Sequence, residues 1–356
     1  MKKIIQPTLM LEEARCRRNI RRMMEKAKAH KLIFRPHFKT HQSAGTGNWF
    51  REEGVERICV SSVDMAIYFA RSGWKDILIA FPVNILEIGK INKLAANIDL
   101  SLLIESPDSI RFLSKKLKQD CKFYIKIDTG YHRTGIDASD FKAIEAILEE
   151  ASKHPGLGFN GFLVHSGNTY EAASTKEIAF IHFDAIGKLK ALRKHFEGSY
   201  PGMILSIGDT PSSSLMEDFQ GIDEIRPGNF VFYDVMQLQL GACSPEDLAL
   251  AVACPVVAKH KSRNEIVIYG GSVHLSKDFI LNADGKPVFG LIAGFDGKNR
   301  EKIIENTYIR KLSQEHGIIK TNKEQFNAIQ IGDLLAVLPV HSCLTANAMN
   351  FKYTIV

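Results

Sequence analysis

The sequence lacks the features of a membrane or secreted protein. No apolar run approaches the ~18 consecutive residues that a transmembrane helix needs. Lys2 and Lys3 are not followed by an apolar stretch, which argues against a secretory signal. Six cysteines are scattered over 356 residues without a Cys-x-x-Cys pair, a pattern typical of reduced thiols. These absences predict a cytoplasmic protein with no membrane partner.

Two common nucleotide-binding motifs are also missing. No Gly-x-Gly-x-x-Gly follows a predicted strand, and there is no Gly-x-x-x-x-Gly-Lys-[Ser/Thr] loop. The formal net charge of +6 permits an anionic ligand without demanding a nucleic acid. A basic stripe marks the predicted helix 11–31, but it has no interleaved aromatic residues. We therefore expect a solvated helix surface and no nucleic-acid partner.

Strand-like and helical patterns alternate along the first two thirds of the chain. The apolar runs are 32–38, 57–61, 76–81, 100–104, 123–128, 161–165, 204–208 and 224–234. Such alternation predicts an α/β protein with a parallel sheet and helical crossovers. Eight strands in about 200 residues favour a closed (β/α)8 barrel over an open sheet.

The pattern changes after residue 235. Strand-like runs at 250–257, 265–269, 286–293, 333–338 and 353–356 are separated by polar turns, with few helical periods. This texture predicts a second, mostly β domain. We expect the barrel to span residues 10–235 and the β-rich domain to comprise residues 236–356 together with residues 1–9.

Polar side chains at the ends of the predicted strands mark a candidate site. In (β/α)8 barrels, functional groups gather at the C-terminal ends of the strands. Arg35, His37 and Lys39 alternate in the first run, so they would share one strand face. If that face lines the barrel mouth, Lys39 is placed like a lysine that forms a Schiff base with a carbonyl compound. A strand that simply ends at a wet rim is the alternative.

Further polar residues follow the fifth and sixth predicted strands. Lys126 and Asp128 share one face of the fifth, and Arg133 lies in the loop after it. His165 ends the sixth strand and Tyr170 follows it. We expect these groups near the same barrel mouth.

Glycine and hydroxyl residues mark the seventh and eighth predicted strands. Gly208 and Thr210 follow the seventh, while Gly228 and Asn229 lie in the eighth, which runs on through Tyr233. Many barrels bind phosphate at this place through backbone N–H groups. A phosphate group and a reactive lysine together point towards pyridoxal phosphate.

His341 and Cys343 form a His-x-Cys pair near the end of the sequence. In an extended segment, both side chains would lie on one side and could bind Zn²⁺. Two ligands leave positions open for water or substrate. Coincidence is the alternative for so short a motif.

Together these residues resemble the fold-type III pyridoxal-phosphate enzymes, in the branch of D-serine dehydratase and D-threonine aldolase, with an alanine racemase-like barrel. The most specific element is Arg-Pro-His-Phe-Lys-Thr-His at 35–41, which is similar to the segment around that branch's cofactor lysine. The resemblance implies that Lys39 is the catalytic, cofactor-attached lysine. The other cofactor-binding residues that we expect are His37, Arg133, His165, Tyr170, Gly208, Thr210, Gly228, Asn229 and Tyr233. The resemblance also implies that His341 and Cys343 bind Zn²⁺ or another divalent metal.

The chain departs from the family pattern at two places. Residues 269–278 stand where an Asp-x-Gly segment is common, and Phe230 stands where tyrosine is frequent. Both departures concern the choice of substrate more than the cofactor.

The resemblance implies a metal-assisted lyase acting on a D-3-hydroxy amino acid. D-serine dehydratase-like β-elimination to a 2-oxo acid and ammonia is the leading hypothesis. D-threonine aldolase-like cleavage to glycine and an aldehyde is the first alternative, and an amino-acid racemase without a metal is the second. A non-catalytic cofactor carrier would resemble the barrel alone, and a nucleic-acid-binding module would use the basic helix. The resemblance further implies a homodimer with a small-molecule amino-acid substrate.

Overall fold

A computed structural model describes residues 4–297 and 299–356. The chain divides into two compact units: Arg21–Gly228, and the residues up to Ile20 together with Asn229–Val356. The first elements are β1 (Thr8–Leu11) and α1 (Glu13–Ala29). Within the described ranges, no helix combines the length and the apolar character needed to cross a membrane.

Eight parallel strands form a barrel in the unit Arg21–Gly228. In chain order the strands of this sheet are β2 (Ile33–Phe34), β3 (Arg57–Val60), β4 (Asp76–Pro82), β5 (Asp99–Ile104), β6 (Cys121–Asp128), β7 (Ile136–Asp137), β8 (Leu157–Val164), β9 (Ile204–Ile207) and β10 (Glu224–Ile225). Their hydrogen-bonded order is β2-β10-β9-β8-β6-β5-β4-β3, and the short β7 pairs with β6 alone. A parallel bridge between His37 and Cys59 brings the segment after β2 against β3. The predicted (β/α)8 barrel is therefore confirmed.

Helices connect the barrel strands. They are α2 (Ala44–Glu52), α3 (Val63–Arg71), α4 (Ile88–Ala95), α5 (Pro107–Lys116), α6 (Phe141–Ser152), α7 (Thr175–Phe196) and α8 (Thr210–Leu215). Serine or aspartate caps most of their N-termini. Ser62 and Ser106, for example, each accept a hydrogen bond from the backbone N–H three residues later, which satisfies a donor that the helix leaves open.

The barrel interior is filled by side chains from neighbouring strands. Cys59, Leu78, Leu103, Tyr124 and Leu163 form one buried cluster, contributed by β3, β4, β5, β6 and β8. Side chains alternate between the two faces of a strand, so every second residue faces this core. Polar residues that project beyond this layer can form a site at the strand ends.

Two predicted barrel strands are much shorter than expected. The run 32–38 forms a strand only at Ile33–Phe34, with one further bridge at His37, and the run 224–234 forms a strand only at Glu224–Ile225. Pro36 and Pro227 follow closely on these strands. Proline has no N–H to donate, so it interrupts the ladder. The chain then turns at residues 38–41 and forms a 3₁₀ helix at Asn229–Val231.

The other unit is built on an antiparallel sheet, in agreement with the predicted β domain. Its further elements are α9 (Val235–Gln239), β11 (Leu250–His260), β12 (Glu265–Tyr269), α10 (Ser272–Leu275), β13 (Ile280–Leu281), β14 (Pro287–Val288), β15 (Gly290–Phe295), β16 (Arg300–Leu312), β17 (His316–Lys320), α11 (Lys323–Ala328), β18 (Leu334–Pro339), α12 (Ser342–Ala348) and β19 (Thr354–Ile355). The strand order is β12-β17-β16-β15-β18-β11-β1-β19, with β13 and β14 paired separately. β18 leads directly to His341 and to α12.

Candidate functional site

Lys39 lies in a turn at the end of the first barrel segment. Its backbone N–H donates to His37 Nδ1 over 3.3 Å, and its side chain is exposed, whereas the adjoining Phe38 and Thr40 are fully buried. The Phe38 ring packs between other aromatic side chains, with ring centroids 4.9 Å from Phe50 and 5.1 Å from Trp74. The turn is thus anchored on both sides of Lys39 while the ammonium group faces outward.

Arg35 is buried inside the barrel, which corrects the expectation that it lies at the barrel mouth with His37 and Lys39. Its guanidinium is 3% exposed and bonds to the carboxylates of Glu224 and Asp76, with Arg35 Nε 2.7 Å from Glu224 Oε2. Burial opposes the charge of Arg35, but Glu224 and Asp76 outweigh it and raise its pKa. Arg35 therefore belongs to a buried ion network of the barrel.

His37 and His165 are half-buried residues in a cationic neighbourhood. Burial and then Lys39 lower the pKa of His37, and Arg226 and Arg133 contribute to the same shift. Burial lowers the pKa of His165 to about 3, although its hydrogen bond to the Gly208 carbonyl oxygen acts in the opposite direction. Both rings are therefore neutral at neutral pH, and His165 donates from Nδ1. The electrostatic influence of Lys39 and Arg133 on both rings brings these four predicted residues together.

Gly208, Thr210 and Gly228 form a tight backbone region beside this cluster. A Cβ at Gly208 would lie 2.9 Å from Arg226 Cβ, and one at Gly228 would lie 2.9 Å from the His37 carbonyl oxygen. Thr210 is buried, and its Oγ1 has no hydrogen-bond partner among the described residues, while its N–H donates to Tyr170 Oη over 3.1 Å. A buried hydroxyl without a partner costs free energy unless a ligand satisfies it. These residues therefore fit the phosphate group of the cofactor.

The loop that carries Arg133 is organised by Asp128. One oxygen, Oδ1, accepts hydrogen bonds from the N–H groups of residues 130, 131 and 132 at 2.9–3.1 Å. Arg133 is exposed and stacks over the Tyr131 ring at 5.0 Å, and that ring packs so closely on Gly167 that a Cβ there would lie 2.2 Å away. The loop geometry places a cationic side chain above the end of β6.

Two buried cations lie in the barrel: Lys126, which the sequence places near the barrel mouth, and Arg226, which sequence reasoning missed. Arg226 is 4% exposed, and its Nε donates to Ser206 Oγ over 2.7 Å. Lys126 is 5% exposed and donates to the Ile127 carbonyl oxygen over 2.7 Å. Burial, then Arg226, lowers the pKa of Lys126 to about 8. Arg226 adds positive potential at both His37 and His165.

His341 and Cys343 lie together at the start of α12 and interact with each other. His341 Nδ1 is 2.8 Å from Asp278 Oδ2. Burial disfavours the charged ring, but Asp278 and then Cys343 overcome this effect and raise the pKa of His341 to about 10. A carboxylate on the second ring nitrogen is the usual support for a metal-binding histidine. The pair and its carboxylate therefore fit a divalent metal.

No group of three or more His, Cys, Asp or Glu side chains poised to hold a metal exists within residues 4–297 and 299–356. Two protein ligands would leave the remaining coordination positions to water or substrate. This is the open arrangement that the sequence predicts for His341 and Cys343.

Asn229 and Tyr233 belong to the same unit as this pair. The Asn229 side-chain nitrogen contacts Asp234, Ser342 and Cys343, so a contribution to the phosphate would come from its backbone N–H. Tyr233 is 2% exposed, has a φ of +47°, and donates its N–H to the Asn229 carbonyl oxygen over 2.8 Å. That both residues bind the cofactor stays a prediction.

Asp278 and Asp234 are the acidic residues that sequence reasoning missed. Burial raises the pKa of Asp234, while its hydrogen bonds from Ser342, Gln237 and Asn229 act against that rise. Asp278 ends the segment in which the sequence departs from the family pattern. Neither residue has a fixed spacing to His341, so only tertiary structure identifies them.

Comparison with known families supports the predicted resemblance. Residues 11–235 match the family described as alanine racemase, N-terminal domain. Residues 249–355 match a serine dehydratase domain. The first match covers more than half of the chain.

Individual relatives match over almost the whole length. D-serine dehydratase of Dictyostelium discoideum is 28% identical, over 98% of this chain and 93% of the relative. D-threo-3-hydroxyaspartate dehydratase of Delftia sp. is 27% identical, over 95% and 91%. A 3-hydroxy-D-aspartate aldolase of Paracoccus denitrificans is 25% identical, over 96% and 86%.

Solved structures confirm the fold. The Delftia dehydratase superimposes with a TM-score of 0.89 at 24% identity, covering 97% of this chain and 93% of that chain. A cysteine-to-alanine variant of a D-threo-3-hydroxyaspartate dehydratase has been solved in a metal-free form, with a TM-score of 0.86 at 25% identity, covering 97% of this chain and 93% of that chain. The name of that structure implies that this dehydratase binds a metal.

Proposed function

Because this chain belongs to the family of the alanine racemase N-terminal domain, whose members are fold-type III pyridoxal-phosphate proteins, we propose that it is a metal-assisted lyase. The reaction is elimination from a D-3-hydroxy amino acid, D-serine dehydratase-like, giving a 2-oxo acid and ammonia. The observation that carries this proposal is the His341–Cys343 pair with Asp278 on the histidine ring. A racemase has no use for such a pair.

The barrel residues would hold the cofactor. Lys39 would attach it, the backbone around Gly208, Thr210 and Gly228 would receive its phosphate, and Tyr170 adjoins Thr210. When bound, pyridoxal phosphate supplies a ring that withdraws electrons and stabilises negative charge at the substrate's α-carbon.

The side chains around Lys39 have distinct roles in the reaction. Lys39 Nζ would take the proton from the substrate's α-carbon. His165 holds its Nδ1 proton on the Gly208 carbonyl oxygen and stays neutral, because its pKa is lowered to about 3. The exposed guanidinium of Arg133 would bind the substrate carboxylate or the cofactor.

His341 and Cys343 would hold Zn²⁺, whose chemistry in such a site is that of a Lewis acid towards a hydroxyl leaving group. Asp278 fixes the His341 ring through Nδ1, so that Nε2 is directed away from the carboxylate. Thiolate and imidazole together are ligands that suit zinc.

Retro-aldol cleavage to glycine and an aldehyde is the second candidate. The match to the Paracoccus aldolase favours it, because that relative covers 96% of this chain. The same residues would serve, and the substrate would lose its Cα–Cβ bond instead of its hydroxyl.

The proposal also includes the cellular location and the oligomeric state of the protein. The six cysteines form no disulfide among the described residues, which supports a reducing, cytoplasmic location. We propose a homodimer on the basis of the family, and light scattering on the purified protein measures its mass directly.

The decisive experiment measures products from purified protein. D-serine, D-threo-3-hydroxyaspartate and D-threonine are each supplied with pyridoxal phosphate, with and without a chelator. We expect a 2-oxo acid that disappears with the chelator and with Lys39→Ala, which also removes the visible absorbance of the bound cofactor. Lys122→Ala is the matched control, because Lys122 is an exposed lysine paired with Asp99. Glycine and aldehyde would establish the aldolase, and absence of both product types overturns the proposal.

A further inference from the structure

Ser342 lies between the two proposed metal ligands in the sequence and is held by hydrogen bonds to Asp234. Its N–H and its hydroxyl both donate to Asp234 Oδ2, at 3.0 and 3.2 Å. Asp234 Oδ1 accepts the N–H of Gln237 over 3.0 Å at the start of α9. Ser342 is completely buried and Asp234 is 3% exposed. The backbone between His341 and Cys343 is therefore held by a buried carboxylate.

Asn229 connects this carboxylate to the sulfur of Cys343. Its side-chain nitrogen lies 2.7 Å from Asp234 Oδ2, 3.0 Å from Ser342 Oγ and 3.5 Å from Cys343 Sγ. Asn229 is 6% exposed. The amide thus reaches a metal ligand, the residue between the ligands and the carboxylate that holds that residue.

The orientation of the Asn229 amide follows from the chemistry of its neighbours. A carboxylate and a thiolate only accept hydrogen bonds, so the NH₂ group must face them. In this orientation Oδ1 is buried without a hydrogen-bond partner among the described residues. An unpaired buried carbonyl is costly. The same orientation lets the NH₂ group donate hydrogen bonds to Asp234 and to the sulfur of Cys343, which offset this cost.

We propose that Asn229 is a positioning residue for the metal centre: its amide nitrogen holds Cys343 Sγ in the orientation in which the thiolate and His341 bind one metal ion. The inference rests on the metal pair of the proposed function. A hydrogen bond to the sulfur restricts the Cys343 rotamer before the metal arrives. Partners of this kind commonly change metal affinity about 10–100-fold.

The test replaces Asn229 by leucine and measures metal binding directly. Leucine has a similar shape and cannot donate to sulfur. The matched control is Asn19→Leu, because Asn19 is also buried, donates from its side-chain nitrogen to the Asp247 carbonyl oxygen over 2.8 Å, and has an unpaired buried Oδ1. The full-length protein is titrated with Co²⁺ and Zn²⁺ against a chromophoric chelator. The sulfur-to-cobalt charge-transfer band reports whether Cys343 is a ligand.

We expect Asn229→Leu to weaken the Kd for both metals about 10–100-fold and to diminish the charge-transfer band. Asn19→Leu should lose folding stability and keep both the Kd and the band. If Asn229→Leu does not fold, Asn229→Ala removes the donor without adding bulk or charge, with the same expected result. Wild-type Kd and band in a folded Asn229 variant would overturn the inference. Absence of metal binding in the unmodified protein would instead overturn the metal pair of the proposed function, and this inference with it.

Discussion

The two units of the chain place histidines in opposite electrostatic surroundings. In the barrel, burial together with Lys39, Arg133 and Arg226 lowers the pKa of His37 and, to about 3, that of His165. In the β-rich unit, Asp278 and Cys343 overcome burial and raise the pKa of His341 to about 10. The sign of the surrounding charge differs, and it matches the charge of the proposed ligand. Cationic surroundings suit a phosphate and a carboxylate, while acidic surroundings suit a metal cation.

The two regions are also held together differently. The barrel contains a buried network of ion pairs and hydrogen bonds. It joins, in order, Asp76, Arg35, Glu224, Ser206 and Arg226. This network fixes Arg226, which is one of the cations near His37 and His165. In the β-rich unit, Glu265 pairs with Arg263, whose side chain is exposed, while Glu12 pairs with the buried Arg300. We therefore expect that breaking the Arg35–Glu224 pair costs far more than breaking the Arg263–Glu265 pair.

Glu224→Gln tests this difference and has the largest expected effect. Glu224 has no exposed surface, and it accepts from Arg35 over 2.7 Å and from Ser206 over 2.6 Å. Loss of its charge leaves the buried Arg35 without a main partner, so we expect the free energy of unfolding to fall by about 3–5 kcal/mol. Urea denaturation of the cofactor-free protein measures this change.

The matched variant is Glu265→Gln. Glu265 is 7% exposed, but both of its cationic partners, Arg263 and Arg310, are open to solvent, with side chains 56% and 39% exposed. Pairs whose cation stays in water contribute roughly 0–1 kcal/mol each. Equal losses in the two variants would show that burial does not distinguish the two regions.

Asp278→Asn is the second prediction and addresses the β-rich unit. The amide can still accept from His341 Nδ1 but carries no charge, so the ring becomes a weaker ligand. We expect the Zn²⁺ Kd to rise about 10-fold, at the lower end of the usual range for such partners. A competition titration with a chromophoric chelator measures the Kd. Asp284→Asn is the control, because Asp284 is a solvent-exposed acid of the same unit.

An unchanged Kd in Asp278→Asn would show that the acidic surroundings of His341 do not favour metal binding in the β-rich unit. It would mean that the Asp278 carboxylate fixes the loop around residue 278 and does not support metal binding.

The fold could largely be predicted from the sequence because its strands are apolar and regularly spaced. The errors have local causes. Proline ends the ladders near residues 36 and 227, which apolar content alone does not reveal. The longest strand, β16, was missed because its sequence Arg-Glu-Lys-Ile-Ile-Glu-Asn-Thr-Tyr-Ile-Arg-Lys-Leu buries only two residues. A strand with so little burial lacks the alternating apolar pattern.

The candidate site was predictable only where short motifs carry it. Lys39 and the His341-x-Cys343 pair stand in such motifs. Arg35 was misplaced because strand alternation cannot show which buried carboxylate a cation meets. Asp278 lies 63 positions from His341 in the sequence, so no spacing rule connects them. Residues such as Asp278, which support a site from a distant part of the sequence, can be identified only from the tertiary structure.

His41 separates burial from neighbouring charge as causes of a low histidine pKa. It is completely buried, burial lowers its pKa from 6.5 to about 3, and its Nδ1 accepts a hydrogen bond from the Ser43 N–H over 3.2 Å. Its ring packs against Phe38 and Phe50 at centroid distances of 4.4 and 5.5 Å. A phenylalanine at this position would therefore retain the aromatic contacts.

Between about pH 6.5 and about pH 3, His41 binds a proton in the unfolded chain and not in the folded one. Its contribution to stability is intact above the unfolded pKa and is lost as the pH falls through this window, by at most about 1.4 kcal/mol per pH unit. His41→Phe cannot take up that proton, so its free energy of unfolding should fall less steeply than that of the unmodified protein. Urea denaturation from neutral pH downward measures the two slopes. Parallel slopes would mean that burial alone does not keep a barrel histidine neutral, and the charges of Lys39 and Arg133 would then have to account for His37 and His165.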